Sequence, residues 1–60
     1  MKGGYIMARV YQDDAKEAAY ENACDCMYYG YGKQYWNNCG LSETDSNVIW
    51  SEARNRLSRL

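Results

Sequence analysis

The chain has no histidine, and only seven of its 60 residues are leucine, isoleucine or valine. Without histidine, an activated nucleophile would depend on lysine or a carboxylate, and zinc would lose one of its usual ligands. A chain of this length buries only about 60% of its unfolded surface, so its stability is expected to be marginal. We expect a single domain over residues 1–60, for which a homodimer is one compatible state.

The cysteines, Cys24, Cys26 and Cys39, are odd in number, and no hydrophobic signal segment precedes them. This pattern favours free thiols in a reducing cytoplasm over a disulfide framework. Cys24 and Cys26 are two positions apart, so on a helix they point about 160° away from each other, and a shared metal would require the helix to break there. We therefore predict no metal site, no cofactor and no enzymatic activity.

Long apolar runs are absent as well, since no window approaches the ~18 residues of a membrane span. What the chain does have is aromatic side chains, with seven tyrosines and two tryptophans, and a net charge of only -1. Disordered chains are usually poor in aromatics and strongly charged. These features predict a folded, soluble domain with an aromatic-rich core.

The N-terminal stretch GYIMARVYQ alternates in polarity with period 2, which predicts a half-buried strand over residues 4–12. Asp14 and Glu17 then have the spacing of a capping box. A helix is predicted from Ala15 to Tyr29, ending at Gly30, where positive φ is favoured. Its buried stripe should consist of small side chains: Ala15, Ala19, Ala23 and Cys26.

The opposite side of this helix carries an acidic ridge. Residues 13–25 contain five carboxylates and one lysine, and the ridge consists of Asp13, Asp14, Glu17, Glu21 and Asp25. Carboxylates four residues apart lie about 6 Å apart along a helix. This spacing is comparable with the roughly 3.4 Å between phosphates on a DNA strand. The ridge could therefore occupy a basic nucleic-acid groove, or it could simply keep the helix solvated.

The remaining chain predicts a short element at Lys33–Trp36, as a second strand or one helical turn, and an amphipathic helix in the last segment. A second strand would run parallel to the first and would suggest a sheet shared within a dimer. In the last helix, Ile49, Ala53, Leu57 and Leu60 should share one face, and Ser42, Thr44 and Asp45 are rival caps. The fold class predicted is a small α+β domain with an N-terminal strand and two amphipathic helices.

The aromatic cluster of residues 28–36 has two interpretations. About half of its rings could supply the core, with the others serving as anchors for a protein partner. Alternatively, the rings and Lys33 could stack nucleic-acid bases, although the acidic ridge has the wrong sign for that use.

The opening MKGGYIMARVYQDD resembles the start of small phage-encoded anti-CRISPR inhibitors. This resemblance implies a non-enzymatic protein that covers a nucleic-acid-binding surface of a host defence complex. The partner would be a protein complex with a basic surface, with no direct nucleic-acid contact and no membrane. The implied contacts are Asp13, Asp14, Glu17, Glu21 and Asp25, with Tyr28, Tyr31, Tyr35 and Trp36 as anchors.

Two alternatives belong to other classes. The first is a small nucleic-acid-binding accessory protein, which would use Lys33, Arg54, Arg56 and Arg59 together with the tyrosines. The second is a homo-oligomeric structural module, in which the acidic ridge serves only solubility.

Overall fold

Two α-helices form most of the described part of the protein. The computed structural model describes residues 9–59, with α1 at Asp14–Tyr28, a short 3-10 helix at Lys33–Tyr35 and α2 at Glu43–Ser58. Residues 9–59 contain no strand, so the fold is all-α and the predicted α+β class is wrong. The element at Lys33–Tyr35 is the helical turn, not the second strand, which removes the argument for a sheet shared in a dimer.

The predicted first strand covered residues 4–12, of which 4–8 lie outside the described residues. Arg9 to Gln12 do not form a strand, and two of their amides bond to a side chain instead of a neighbouring strand. The backbone N–H groups of Val10 and Tyr11 both donate to Oε1 of Glu17, at 3.0 and 2.8 Å. The alternating polarity corresponds to an irregular segment in which Tyr11 packs against the helices and Val10 is exposed.

Helix α1 begins one residue earlier than predicted, which changes the role of Glu17. The N-cap is Asp13, whose carboxylate accepts from the N–H groups of Ala15 at 2.8 Å and Lys16 at 3.1 Å. Glu17 therefore does not close a capping box with Asp14. It is 6% exposed and accepts the two amides of the preceding segment, which satisfy its buried charge. The prediction that Glu17 lies on the exposed ridge is wrong.

The core is a seam of small side chains between the helices. Ala19 and Ala23 of α1 and Ala53 of α2 have no exposed surface, and Ile49 is the largest side chain among them. Ala15 is exposed, so the predicted stripe begins one turn later. Buried residues that the stripe did not include are Tyr20 and Cys24. Small side chains let two helices approach closely, which increases the dispersion contacts of each buried atom.

Two tryptophans cover one edge of this seam. The ring centroids of Trp36 and Trp50 lie 5.1 Å apart, and both rings pack against the core. Trp36 also donates from Nε1 to the carbonyl oxygen of Ala19 at 3.0 Å. This bond ties the segment between the helices to the middle of α1, and it satisfies the polar end of a half-buried ring.

Helix α2 begins at one of the three predicted caps, Ser42, whose hydroxyl accepts from the N–H of Asp45 at 3.2 Å. Its buried face contains Ile49 and Ala53, as predicted, and also Ser46. Leu57 is half-buried, and Leu60 lies outside the described residues. Because the hydroxyl of Tyr11 donates to Glu52 at 2.6 Å, the start of α1 lies beside the second half of α2.

We predict that replacing Glu17 with alanine lowers the free energy of unfolding by about 2 kcal/mol, because two amides lose a charged acceptor. The control is Glu21→Ala, one turn further along and exposed, which should change stability by less than about 0.5 kcal/mol. Urea denaturation measures both, and hydrogen exchange should show faster exchange of the Val10 and Tyr11 amides only in Glu17→Ala. Equal effects of the two substitutions would contradict this assignment.

The pH dependence of stability is expected to have an alkaline limit. Burial, followed by the bond to Glu52, raises the pKa of Tyr11 above its usual 10.0. Burial also raises the pKa of Tyr20, and that of the Cys24 thiol above its usual 9.0. The folded state therefore favours the protonated forms of these three groups. Their contribution to the free energy of unfolding is fully present below the pKa values of the unfolded chain, and it is lost as the pH rises above about 9–10.

The measurement is a series of urea midpoints between pH 7 and pH 11. Tyr11→Phe should cost about 1 kcal/mol at pH 7, through loss of the bond to Glu52, and should decline less steeply than the parent above pH 10. Tyr28→Phe, at an exposed tyrosine, is the control that should follow the parent throughout. Parallel profiles for the parent and Tyr11→Phe would refute the role given to this hydroxyl.

Candidate functional site

Helix α1 ends at a tight glycine turn. Tyr29 is the C-cap, and Gly30 follows with φ +84°, as predicted for this position. The N–H of Gly30 donates to the carbonyl of Met27 at 3.0 Å, and the N–H of Tyr31 donates to that of Cys26 at 2.9 Å. These two bonds define a Schellman motif, which turns the chain back over the last turn of α1. The turn brings the tyrosines on both of its sides to one end of the molecule.

Four exposed tyrosines form what we call the tyrosine face: Tyr28, Tyr29, Tyr31 and Tyr35. Their exposed fractions range from 59% for Tyr31 to 76% for Tyr28. They associate in two edge-to-face pairs, with ring centroids 5.3 Å apart for Tyr28 and Tyr29 and 5.9 Å apart for Tyr31 and Tyr35. Scattered single apolar residues on a surface are ordinary, but a contiguous group of rings is a feature of binding surfaces.

The prediction that about half of the clustered rings fill the core is therefore wrong. Of these five rings, only Trp36 packs on the core, where it contacts Trp50, so it holds the site in place and is not an exposed anchor. The other rings that contribute to the core are those of Trp50, Tyr11 and Tyr20. The rings of Tyr11 and Tyr20 meet edge to face, with their centroids 5.6 Å apart. This leaves the tyrosine face available for a partner.

A groove of about 260 Å³ opens beside the tyrosine face. Its aromatic lining is Tyr29, Tyr31, Tyr35 and Trp36, and its other lining residues are Asn22, Asp25, Cys26 and Asn37. The Asn22 side chain donates from Nδ2 to the carbonyl oxygen of Asn37 at 3.1 Å, which joins two lining residues. The Cys26 thiol lies 3.4 Å from the carbonyl oxygen of Gly32, so it is held by the main chain.

The groove residues were only partly predicted. Tyr31, Tyr35 and Trp36 were candidate anchors, and Asp25 was a candidate contact. Tyr29 was in the same aromatic cluster, but it was not among the anchors that the resemblance implied. Asn22 and Asn37 carried no sequence signal of their own, because they are brought together by the segment that crosses α1.

The acidic ridge does not form the continuous line that its spacing indicated. Asp13 caps the helix, Asp14 pairs with Arg9, and Glu17 is buried. Glu21 and Asp25 remain exposed in the second half of α1. The comparison with regularly spaced phosphates therefore loses its geometric basis, and Asp25 is the ridge residue that also lines the groove.

The cationic side chains lie mostly away from the tyrosine face. Lys33 donates from Nζ to Oδ1 of Asn47 at 2.6 Å. The arginines of α2 lie in the last two turns of that helix, beside the beginning of α1. Arg56 lies close to Tyr20 and lowers the pKa of the tyrosine hydroxyl, although burial has the larger effect and raises it. The tyrosines and arginines thus do not interleave in one patch.

Cys24 and Cys26 are both buried, and Cys39 is half-buried, with all three as free thiols. Among residues 9–59, no cluster of three or more cysteine and carboxylate side chains has the geometry to hold a metal ion. Within the same range, neither helix has the length and apolar character needed to cross a bilayer.

Comparisons with protein-family models, curated proteins and solved structures gave no match to this chain. The tyrosine face and its groove are therefore the features of the molecule that bear on its function.

The Gly30 turn provides a test of how the site is built. We predict that Gly30→Ala lowers the free energy of unfolding by about 1 kcal/mol, because an L side chain is strained at φ +84°. The control is Gly32→Ala, where φ is -78° and an added Cβ meets only the flexible end of Gln34. Thermal unfolding compares the two, and hydrogen exchange should show a less protected Tyr31 amide in Gly30→Ala alone. A similar loss in both variants would contradict the assignment of strain to Gly30.

Proposed function

We propose that this chain is a non-enzymatic protein-binding module that docks its tyrosine face onto a basic surface of a partner protein. The observation that carries the proposal is the pairing of four exposed tyrosines at one end of the molecule. Tyrosine is enriched at protein interfaces because its ring supplies apolar area and its hydroxyl remains able to hydrogen-bond. A few such residues usually carry most of the binding energy.

The charge near the tyrosine face favours a basic partner. Residues 25–50 contain three carboxylates, Asp25, Glu43 and Asp45, and one lysine, Lys33. The other end of the helix pair has acids at the start of α1 and arginines at the end of α2, so its charges are mixed. A surface with a net negative charge favours positively charged partners and accelerates their encounter.

An inhibitor of a host defence complex is the specific form of this proposal that the N-terminal resemblance implies. Such a complex must expose a basic surface to hold nucleic acid, and that surface is complementary to the net negative charge near the tyrosine face. The contacts would then be Asp25, Tyr28, Tyr31 and Tyr35, whereas Glu17 and Trp36 serve the fold. A cytoplasmic location is part of the proposal, and the three free thiols are consistent with it.

Direct nucleic-acid binding is the less favoured alternative. Single-strand binders combine stacking rings with a cationic groove. Here the groove beside the rings contains Asp25 and no lysine or arginine. Lys33 is engaged with Asn47, and the arginines belong to the distant end of α2.

The proposal predicts that the double substitution Tyr31→Ser/Tyr35→Ser abolishes capture of a basic partner by the immobilised chain. Asp25→Lys should weaken the same capture by reversing the local charge. The control is Arg54→Ser, an exposed residue in the second half of α2, which should capture the partner like the parent. Circular dichroism establishes that each variant is folded before comparison.

Three outcomes would overturn the proposal. The first is equal capture by the parent and the tyrosine variants. The second is salt-dependent binding of labelled single-stranded DNA or RNA that is lost in Arg54→Ser, which would favour the nucleic-acid alternative. The third is self-association through the tyrosine face, observed by sedimentation as a dimer of the parent and a monomer of Tyr31→Ser/Tyr35→Ser.

A further inference from the structure

The groove beside the tyrosine face has the composition of a cation site. We propose that it receives an arginine side chain of the partner protein, an inference that rests on the proposed function and specifies its central contact. Aromatic rings supply the walls and one carboxylate supplies the counter-charge.

The aromatic lining provides the first argument. Tyr29, Tyr31 and Tyr35 contribute rings to the same groove, together with Trp36. The rings of Tyr31 and Tyr35 meet edge to face, with their planes inclined at 61°. A cation within about 6 Å of a ring centroid is attracted by the negative face of the ring, and several rings around one space add to this attraction.

Asp25 provides the second argument. It lies on the exposed side of α1 and lines the same groove as the rings. The described part of the chain, residues 9–59, offers it no salt-bridge partner, since the ion pair found there joins Arg9 and Asp14. A carboxylate in an aromatic-lined groove favours a cationic occupant over a neutral or anionic one.

The groove is small for a ligand site. Its volume of about 260 Å³ is below the roughly 300–1,000 Å³ that is usual for sites of drug-sized ligands. The Cys26 thiol at its lining is held by main-chain carbonyls, so it does not add a reactive group. The groove is therefore suited to a single side chain that enters from the surface of another protein.

Arginine fits this groove better than lysine. The guanidinium group is planar, so it can stack on a tyrosine ring while two of its N–H groups donate to a carboxylate. It is also more weakly hydrated than an ammonium group, which reduces the cost of leaving water. Arginine is enriched at protein interfaces, whereas lysine is depleted.

The test uses three short peptides, each with two copies of arginine, lysine or citrulline separated by glycine. Citrulline has nearly the shape of arginine without its charge. NMR titration of the full chain should show shifts at Asp25, Tyr29, Tyr31 and Tyr35 with the arginine peptide, weaker shifts with lysine and none with citrulline. Asp25→Asn should weaken binding of the arginine peptide by about three- to fivefold, and Tyr31→Leu by a similar factor.

Glu21→Gln is the matched control, because it removes an exposed carboxylate one turn away on the same helix. It should leave the affinity for the arginine peptide within about twofold of the parent. The inference is overturned if arginine and citrulline peptides give the same shifts, if the shifts lie outside the groove, or if Asp25→Asn and Glu21→Gln weaken binding equally.

The same variants separate this inference from the proposed function. If the partner protein is lost with Tyr31→Ser/Tyr35→Ser but retained with Asp25→Asn, the tyrosine face is a docking surface and the arginine site is wrong. If the arginine peptide binds the groove but no basic partner depends on the tyrosines, the site exists and the proposed docking function fails.

Discussion

The close approach of the two helices is the constraint on which the structure depends. Ala19 and Ala23 on one side and Ala53 on the other have no exposed surface. A seam of alanines holds two helices near each other only while nothing larger is placed between them, because added methylenes in a packed core force neighbouring groups apart. In a chain with only seven leucine, isoleucine and valine residues, a narrow seam is how a core can be filled without large aliphatic side chains.

A narrow seam leaves its edges open, and aromatic rings cover them. Trp36 and Trp50 lie on one edge, while Tyr11 packs against Tyr20 at another place on the same core. The connection between the helices must therefore pass over α1 to deliver Trp36, and the bond from its Nε1 to the carbonyl of Ala19 fixes where it passes. The tyrosines near this connection are exposed.

The sequence predicted the helical parts of this arrangement because their signals are local. Gly30 marks the end of α1 and Ser42 the start of α2, and in each case the bonding is between residues a few positions apart. The strand prediction failed because alternation describes which side chains face a neighbour and does not say whether that neighbour is a strand or a helix. Here the amides of Val10 and Tyr11 bond to Glu17, a partner that no period in the sequence identifies.

The candidate site could be predicted by residue type but not by arrangement. The clustering of tyrosines indicated a surface for a partner, whereas the groove depends on bringing Asn37 next to Asn22, which are 15 positions apart. Helical spacing placed five acids on one ridge, yet it could not show that one of them serves the preceding segment and another the helix cap. Spacing gives the direction of a side chain, and the tertiary contacts decide whether that direction leads to solvent.

The way the site is held bears on how strongly it can bind. The turn at Gly30 is closed by two main-chain bonds, and the segment after it is tied down by Trp36 and by the contact between Asn22 and Asn37. Ordering loops and side chains on binding costs free energy, and a surface that is already ordered avoids part of this cost. The tyrosine rings restrain one another through their edge-to-face pairs. A small domain with a limited contact area gains most from such preorganisation, because the affinity of an interface depends on the quality of a few anchors and not on its area.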